Sequence, residues 1–344
     1  MTNAYRRFLN PAAEPATPQW NVFFDGSFWG HTGKDHAGTE ITVGKQFEWA
    51  GRQWLLPAVY SCGKGLVIDF CMRVEAQEIR AFMGKWDLRQ ENDSCEHFTQ
   101  EQQMEIELDS PLHLDFDAQL ELNGRKLLTS HGCSVCYNPC LPDGMRNDLE
   151  AKWVVKHYAL NPAYGWVIFR NAFPWAGQHR PKIKTLSLTM EQHPISIPGP
   201  HFRVAAAGDT VAFVHPASGK EYILTVQELE PHILPESCLD SERWEYPSHF
   251  WAMSYTINPE IPDGSLTIMD CAGSDKPKEK APSSPAAMGI IGGADGPTAI
   301  FLDRGESGQP RAACSSLHFS PVDSVEWYII FCEKQFDTIE ITLF

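Results

Sequence analysis

The sequence predicts a mostly-β fold, an α+β chain with few helices, whose antiparallel sheets pack in a sandwich-like arrangement. Short runs rich in Val, Ile, Phe, Tyr and Trp recur along the chain, and Gly, Asn, Asp and Pro bound them. Two connections, Ala50-Gly51-Arg52 and Asn123-Gly124, are typical of hairpin turns. Only two segments place apolar residues at helical spacing.

The first half contains runs that favour strands. In Gln103–Leu108 the apolar residues alternate with glutamates, a period of two that indicates a strand with one wet face. Trp20–Phe24 is apolar and ends at the turn signal Asp25-Gly26. The predicted strands are Trp20–Phe24, Glu40–Trp49, Gln53–Tyr60, Gly65–Val74, Gln103–Leu108, Leu112–Leu122 and Arg125–Thr129.

Two helices are predicted. Ala76–Trp86 spaces Ile79, Phe82 and Met83 along one helical face. The second, Asp148–Leu160, begins at a residue type that caps helices well and ends before Asn161-Pro162.

The second half returns to strands, with a hairpin turn at Pro216–Gly219. The segment 272–287 is rich in charge and proline and predicts an exposed loop. A chain of 344 residues suits two domains, predicted as 1–160, β-rich with two helices, and 161–344, β-rich with the loop. The predicted strands are Gly165–Ala172, Lys184–Glu191, Asp209–His215, Lys220–Gln227, Phe250–Asn258, Ser265–Asp270, Gly289–Ile291, Thr298–Leu302, Ala313–Phe319, Val325–Phe331 and Thr338–Phe344.

Charge and hydropathy limit the partners. The chain has 28 Lys and Arg against 44 Asp and Glu, a net charge of −16, which disfavours nucleic acid and anionic membranes as partners. No apolar window is long enough to span a bilayer and no signal peptide is recognisable, so a cytoplasmic protein is expected. Its 10 cysteines are then expected to be thiols.

The common catalytic motifs are absent from the sequence. It contains no phosphate-binding P-loop, no H-E-x-x-H zinc helix, no G-x-S-x-G elbow and no zinc-deaminase pattern. The histidines of the second half lack His-x-His pairs, so they are interpreted as structural.

A cluster of soft ligands lies between residues 131 and 140. His131, Cys133, Cys136 and Cys140 fall within ten residues, and two cysteines three apart can chelate a tetrahedral Zn²⁺. The alternative is that they are ordinary thiols in a loop that precedes a helix.

Two aromatic loops suit a polar ligand. The loop Asp25–His36 carries Trp29 and His31 among glycines, and Trp175 lies in a similar loop. Aromatic faces beside hydrogen-bonding groups are typical of sites for polar ligands such as sugars. The alternative is a long hairpin loop with Trp29 folded onto the core.

The string Met288–Leu302, MGIIGGADGPTAIFL, closely resembles a segment of the β subunit of membrane-bound, sodium-translocating decarboxylases of the oxaloacetate type. In that family the segment lies in the membrane and its aspartate helps to carry Na⁺; the resemblance gives that role to Asp295. The string is also similar to segments of soluble bacterial proteins. Because the rest of the chain lacks the family's membrane helices, a sodium pump is not expected.

Physical chemistry gives this string a second interpretation. Its glycines favour a turn between two short strands, where Asp295 either binds a small cation or closes an Asx-turn.

Two classes of function follow from these features. The first is a non-enzymatic binding or interaction protein for a polar ligand or a protein partner. The alternative is a metal-dependent enzyme built on the cluster of His131, Cys133, Cys136 and Cys140, with Zn²⁺ as the cofactor.

Overall fold

The structure, a computed structural model, describes residues 20–28, 30–31, 33–88, 98–141, 149–177, 180–235, 243–280 and 310–344. These residues group by contact into two units. The first unit draws its residues from Met1–Ser94, Asp109–His193 and Gln335–Phe344, and the second from Cys95–Leu108 and Pro194–Lys334.

The first unit is built on two antiparallel sheets. Their strand orders are β1-β2-β3-β7-β6 and β18-β8-β4-β5. Two helices accompany them. The elements are β1 (Thr39–Trp49), β2 (Arg52–Ser61), β3 (Gly65–Val74), α1 (Ala76–Lys85), β4 (Phe116–Leu122), β5 (Arg125–Leu128), β6 (His131–Tyr137), α3 (Leu149–His157), β7 (Gly165–Pro174), β8 (Leu186–Gln192) and β18 (Ile339–Thr342).

The core of the first unit lies between these sheets. Trp54 and Phe70 of the larger sheet and Leu120 and Leu188 of the smaller one belong to one buried cluster, as a sandwich requires. Strand β3 is also covered on its other face, which explains its nearly continuous apolar sequence.

The second unit also packs sheet on sheet. The strand orders are β10-β11-β13-β16 and β14-β17-β9, and a two-stranded β12-β15 ribbon accompanies them. Both larger sheets contribute to one buried cluster that includes Leu224 and Trp327. The elements are α2 (Gln100–Asp109), β9 (Ile195–Arg203), β10 (Thr210–Val214), β11 (Glu221–Ile233), β12 (Trp244–Glu245), β13 (His249–Asn258), β14 (Leu266–Asp270), β15 (Lys278–Glu279), β16 (Arg311–Cys314) and β17 (Glu326–Glu333).

The predicted fold class is confirmed: the chain is β-rich, with antiparallel sheets and three helices in its described part. All three predicted hairpin turns form. Positive φ occurs at Ala50 and Gly51, at Asn123 and Gly124, and at Gly219, as tight connections demand. Both predicted helices form as α1 and α3.

The strand predicted at Trp20–Phe24 is wrong. Val22 and Phe24 are buried, but the segment joins no sheet. Its backbone carbonyls form other hydrogen bonds. The carbonyl of Val22 accepts from the amide of Gly38, and the carbonyl of Phe23 accepts from the amide of Gly26 in a turn. The apolar residues therefore cover a sheet face instead of pairing within a sheet.

The strand predicted at Gln103–Leu108 is also wrong, because this segment is part of helix α2. Thr99 and Gln102 form a reciprocal cap: the Gln102 amide donates to Thr99 Oγ1 at 3.2 Å, and the Thr99 amide to Gln102 Oε1 at 2.9 Å. The Thr-x-x-Gln spacing was visible in the sequence. Strong helix formers, Glu, Gln, Met and Leu, outweigh the alternation of apolar and polar residues.

We expect Thr99→Ala to lower the free energy of unfolding of the second unit by about 1 kcal/mol, because the helix loses its N-terminal cap. Urea unfolding of both proteins measures this difference. Thr99→Ser keeps the hydroxyl and is the control. An equal loss in both variants would assign the effect to the threonine methyl group instead.

Strand β9 was missed because its sequence, ISIPGPHFR, contains Pro198, Gly199 and Pro200. Proline has no backbone amide proton, so it cannot donate the hydrogen bond that a strand between two neighbouring strands requires. The segment forms a strand because β9 lies at a sheet edge, beside β17 alone.

The division into domains at residue 160 stays a prediction, although contacts group the chain differently: β7 pairs with β3 and β6 in the first unit. Of the predicted loop 272–287, residues 272–280 are described and are mostly exposed, and Lys278–Glu279 pair with β12. Residues 281–287 lie outside the described residues. In the described ranges, no helix has the length and apolar character that crossing a membrane requires.

Candidate functional site

A cavity of about 320 Å³, partly open to solvent, lies on the face of the larger sheet of the first unit that points away from the sandwich core. Its floor is two adjacent cross-strand rows of β3, β7 and β6. The first row runs from Asp69 of β3 through Arg170 of β7 to Cys133 of β6. The second row runs from Val67 through Ala172 to His131 on the same three strands. The remaining lining residues are Phe24, Asp25, Gly26, Ser27, Gly30 and Gly132.

A buried ion pair crosses the first row. Asp69 of β3 stands opposite Arg170 of β7, and the exposed fractions of these residues are 0% and 4%. Nε and Nη2 of Arg170 donate to the two carboxylate oxygens, each at 2.7 Å. Burial is the largest single influence and acts to lower the pKa of Arg170, but the charge and hydrogen bonds of Asp69, together with smaller contributions from Tyr158 and Cys133, outweigh it. The pKa is therefore raised and the guanidinium stays charged.

A chain of hydroxyl groups completes the surroundings of Asp69. Tyr158 donates to Asp69 Oδ2 at 2.7 Å, so its oxygen is left to accept from Tyr60, also at 2.7 Å. The indole of Trp20 donates to Tyr60 Oη at 2.9 Å. Burial first, and the Asp69 charge second, raise the pKa of both tyrosines, so both remain neutral donors.

The roof of the cavity comes from the segment that was predicted as a strand and a loop. Ser27 and Gly30 exchange backbone hydrogen bonds across a tight turn, in which Gly30 has a φ of +127°. Phe28 of this turn lies over the Arg170 guanidinium, 4.2 Å from its ring centroid, and Trp20 lies 5.4 Å away. The aromatic residues therefore fix the guanidinium plane from above while Asp69 fixes its edge.

Two polar side chains of β6 face the cavity. His131 Nε2 lies 2.7 Å from the carbonyl oxygen of Phe24, which can only accept, so this nitrogen carries a proton. Burial raises the pKa of the Cys133 thiol, while the backbone amide of Phe28, which donates to the sulfur, acts in the opposite direction. Cys133 is therefore a neutral thiol in the cavity wall rather than a reactive thiolate.

The structure does not bring the predicted metal ligands together. His131 to Tyr137 form a strand, so Cys133 and Cys136, three residues apart, point to opposite faces of the sheet. Cys140 Sγ instead lies 3.2 Å from the carbonyl oxygen of Ala76. The described residues contain no group of three or more His, Cys, Asp or Glu side chains able to hold a metal ion. These residues therefore do not fit a shared Zn²⁺.

Of the predicted ligand-binding residues, the two that the structure describes, His31 and Trp175, do not line the cavity. His31 stacks on Phe23 at 4.3 Å between ring centroids, and its two ring nitrogens are buried without a hydrogen-bond partner. Trp175 packs against the core, and its indole donates to the carbonyl of Gly63 at 3.1 Å. Trp29, Asp295 and the string Met288–Leu302 lie outside the described residues, so their roles stay predictions.

Sequence reasoning missed Asp69 and Arg170. Each is a charged residue within an apolar run that was predicted as a strand. A charge in a strand covered on both faces requires a buried partner, and this signal could have paired the two residues.

No protein-family model, curated protein or solved structure matches the chain.

Proposed function

We propose that the first unit is a non-enzymatic binding module for a small polar molecule, which binds in the cavity beside Arg170. The supporting observation is the state of the guanidinium. Asp69 occupies Nε and Nη2, and within the described part of the chain no hydrogen bond reaches Nη1. A ligand oxygen can accept from this nitrogen without displacing an existing partner.

The guanidinium is fixed before the ligand arrives. Asp69 holds it in a bidentate geometry and Phe28 stacks over it, so little side-chain freedom is lost on binding. A charged donor in a partly desolvated wall forms a stronger hydrogen bond than a neutral one. A fixed guanidinium edge therefore favours hydroxyl or carboxylate oxygens on the ligand.

Size and polarity restrict the ligand further. The cavity lies at the small end of the range for ligand pockets, so it suits a compact molecule. Val67, Ala172 and Phe24 give it an apolar side, whereas Arg170 and Asp25 give it a polar one. Because the Arg170 charge is balanced by Asp69, we expect hydroxyl and carboxylate ligands to bind, and inorganic polyanions to bind poorly.

Filling the cavity tests this proposal. We expect Cys133→Phe to abolish saturation transfer in NMR to a panel of acetate, lactate, glycerol and glucose, because the ring occupies the ligand volume. Cys136→Phe is the matched control, since Cys136 lies on the same strand with its side chain on the opposite face. Cys133→Leu is a smaller change that still fills part of the cavity, and it replaces Cys133→Phe in the test if that variant does not fold.

At least one member of the panel should give a signal with the wild type and with Cys136→Phe. A panel that is silent with the wild type contradicts the proposal. So does a signal that persists at full strength in both Cys133 variants while their unfolding midpoints stay at the wild-type value. A cytoplasmic location and the absence of nucleic-acid or membrane partners stay predictions of the sequence.

A further inference from the structure

Three chemically reactive side chains meet on one sheet face of the second unit. His201 lies on β9, Cys271 directly follows β14, and β17 runs between these two strands. His201 is the register partner of Tyr328 on β17, and the Cys271 amide donates to the Glu326 carbonyl at 2.8 Å. Glu101, in the first turn of α2, reaches the same face.

The three side chains are hydrogen-bonded in series. His201 Nε2 lies 3.0 Å from Glu101 Oε2, and Cys271 Sγ lies 3.5 Å from His201 Nδ1. An ionised carboxylate only accepts, so Nε2 carries the proton of the neutral ring. Nδ1 is then the basic nitrogen, and the thiol of Cys271 donates to it. This is the order of nucleophile, base and orienting acid that covalent acyl transfer requires.

We propose that Cys271 is a nucleophile for uncharged acyl esters, with His201 as its general base and Glu101 as the residue that positions the imidazole. The site is accessible, because Cys271 is exposed and the His201 side chain is 39% exposed. It lies in the second unit and does not depend on the function proposed for the first.

The surrounding charges define how the thiol reacts. Partial desolvation of the Cys271 thiol by the neighbouring residues is the first cause that raises its pKa, to about 11. The nearby carboxylates of Glu326, Asp270 and Glu101 act in the same direction, and Arg203 acts in the opposite one. At neutral pH the thiol is therefore protonated, and attack needs a base to take its proton. The same carboxylates repel anionic acyl groups, which is why the proposed substrates are uncharged.

The reaction balances without a further reagent. Sγ attacks the ester carbonyl carbon and forms the S–C bond while its proton moves to His201 Nδ1. The C–O bond of the ester breaks, and the same proton passes to the leaving oxygen, which departs as an alcohol. Water, deprotonated by His201, then hydrolyses the thioester to release the acid and regenerate the thiol.

The test uses p-nitrophenyl acetate and the full chain, with p-nitrophenol release and peptide mass spectrometry as readouts. We expect an acetyl group to appear on Cys271 and both signals to vanish in Cys271→Ala. Cys136→Ala, which removes an exposed cysteine of the first unit, should leave the rate unchanged. The anionic mono-p-nitrophenyl ester of succinate should react at least about 10-fold more slowly, because the carboxylates repel it.

The pH profile separates general-base catalysis from the reaction of a free thiolate. The wild-type rate should level off well below pH 11, the value at which the thiol itself ionises. We expect His201→Gln to slow acetylation about 100-fold and to make the rate rise toward that pH. Glu101→Gln should retain more of the acetylation rate than Glu101→Ala, because the amide oxygen can still accept from His201 Nε2 and hold the imidazole in place.

Acetylation of Cys271 that is equally fast in the wild type and in His201→Gln overturns the proposal. Labelling of Cys271 no faster than that of Cys136 overturns it as well. The substitutions Cys271→Ala and His201→Gln lie at accessible positions, and thermal midpoints that match the wild type establish that these variants are folded.

Discussion

Replacing Asp69 by leucine is expected to lower the free energy of unfolding by about 3–5 kcal/mol, the largest effect that we predict for the chain. Asp69 is fully buried and holds both accepting oxygens of a bidentate pair with Arg170. Without it, a guanidinium remains in a region of low dielectric constant with no counter-charge. Tyr158 also loses its acceptor, which adds a second unsatisfied group.

Further variants measure how much of this lost stability comes from the unpaired Arg170 charge and how much from the Tyr158 hydroxyl. Combining Asp69→Leu with Arg170→Met removes both charges, and we expect most of the stability to return because apolar residues of similar volume pack well there. Adding Tyr158→Phe removes the orphaned hydroxyl and should recover about 1 kcal/mol more. Urea unfolding of the three variants gives these differences.

Glu78→Leu is the matched control for the buried pair. Glu78 pairs with Arg52 at the surface, and we expect its loss to cost less than about 1 kcal/mol because solvent screens exposed charges. If Asp69→Leu proved as mild as Glu78→Leu, the buried pair would not be a structural element of the cavity floor.

Most elements of this fold, and the strand partners joined by its hairpin turns, could be predicted from the sequence, but the partners of strands distant in the chain could not. Strand β3 has the predicted bounds, because a nearly continuous apolar run of this length after the turn that follows β2 favours a strand covered on both faces. Its pairing with β7 joins residues 101 positions apart in the case of Asp69 and Arg170. Local sequence patterns carry no information about such a contact, so the candidate site was missed.

The zinc hypothesis shows how one local assignment decides a site. Gly132 and the Asn138-Pro139 pair favoured a loop, in which Cys133 and Cys136 could turn toward one ion. Pairing with β7 makes the segment a strand, whose period of two separates these side chains. The histidines of the second half were interpreted one by one, whereas the contacts of His201 come from elements distant in the sequence.

Gly65→Ala is expected to lower the free energy of unfolding by about 3 kcal/mol, because the strands leave no space for a methyl group at this position. A Cβ on Gly65 would lie closer than 3.0 Å to the carbonyl oxygen of Phe173 and to Cε2 of Phe24. The carbonyl belongs to the backbone of β7 beside Pro174, the register partner of Gly65, so it cannot yield without disturbing the β3–β7 pairing.

The close approach of Phe24 to Gly65 links this glycine to the cavity. Phe24 lines the roof and its carbonyl accepts from His131, so its displacement should also weaken the NMR signal of any bound member of the ligand panel. Gly63→Ala, in the β2–β3 connection two residues before Gly65, is the control: a Cβ there meets nothing within 4 Å, and we expect a change below about 0.5 kcal/mol. Urea unfolding of both variants measures the contrast. Equal stabilities for the two variants would mean that β3 and β7 can separate at this end, and that the roof of the cavity does not depend on their close approach.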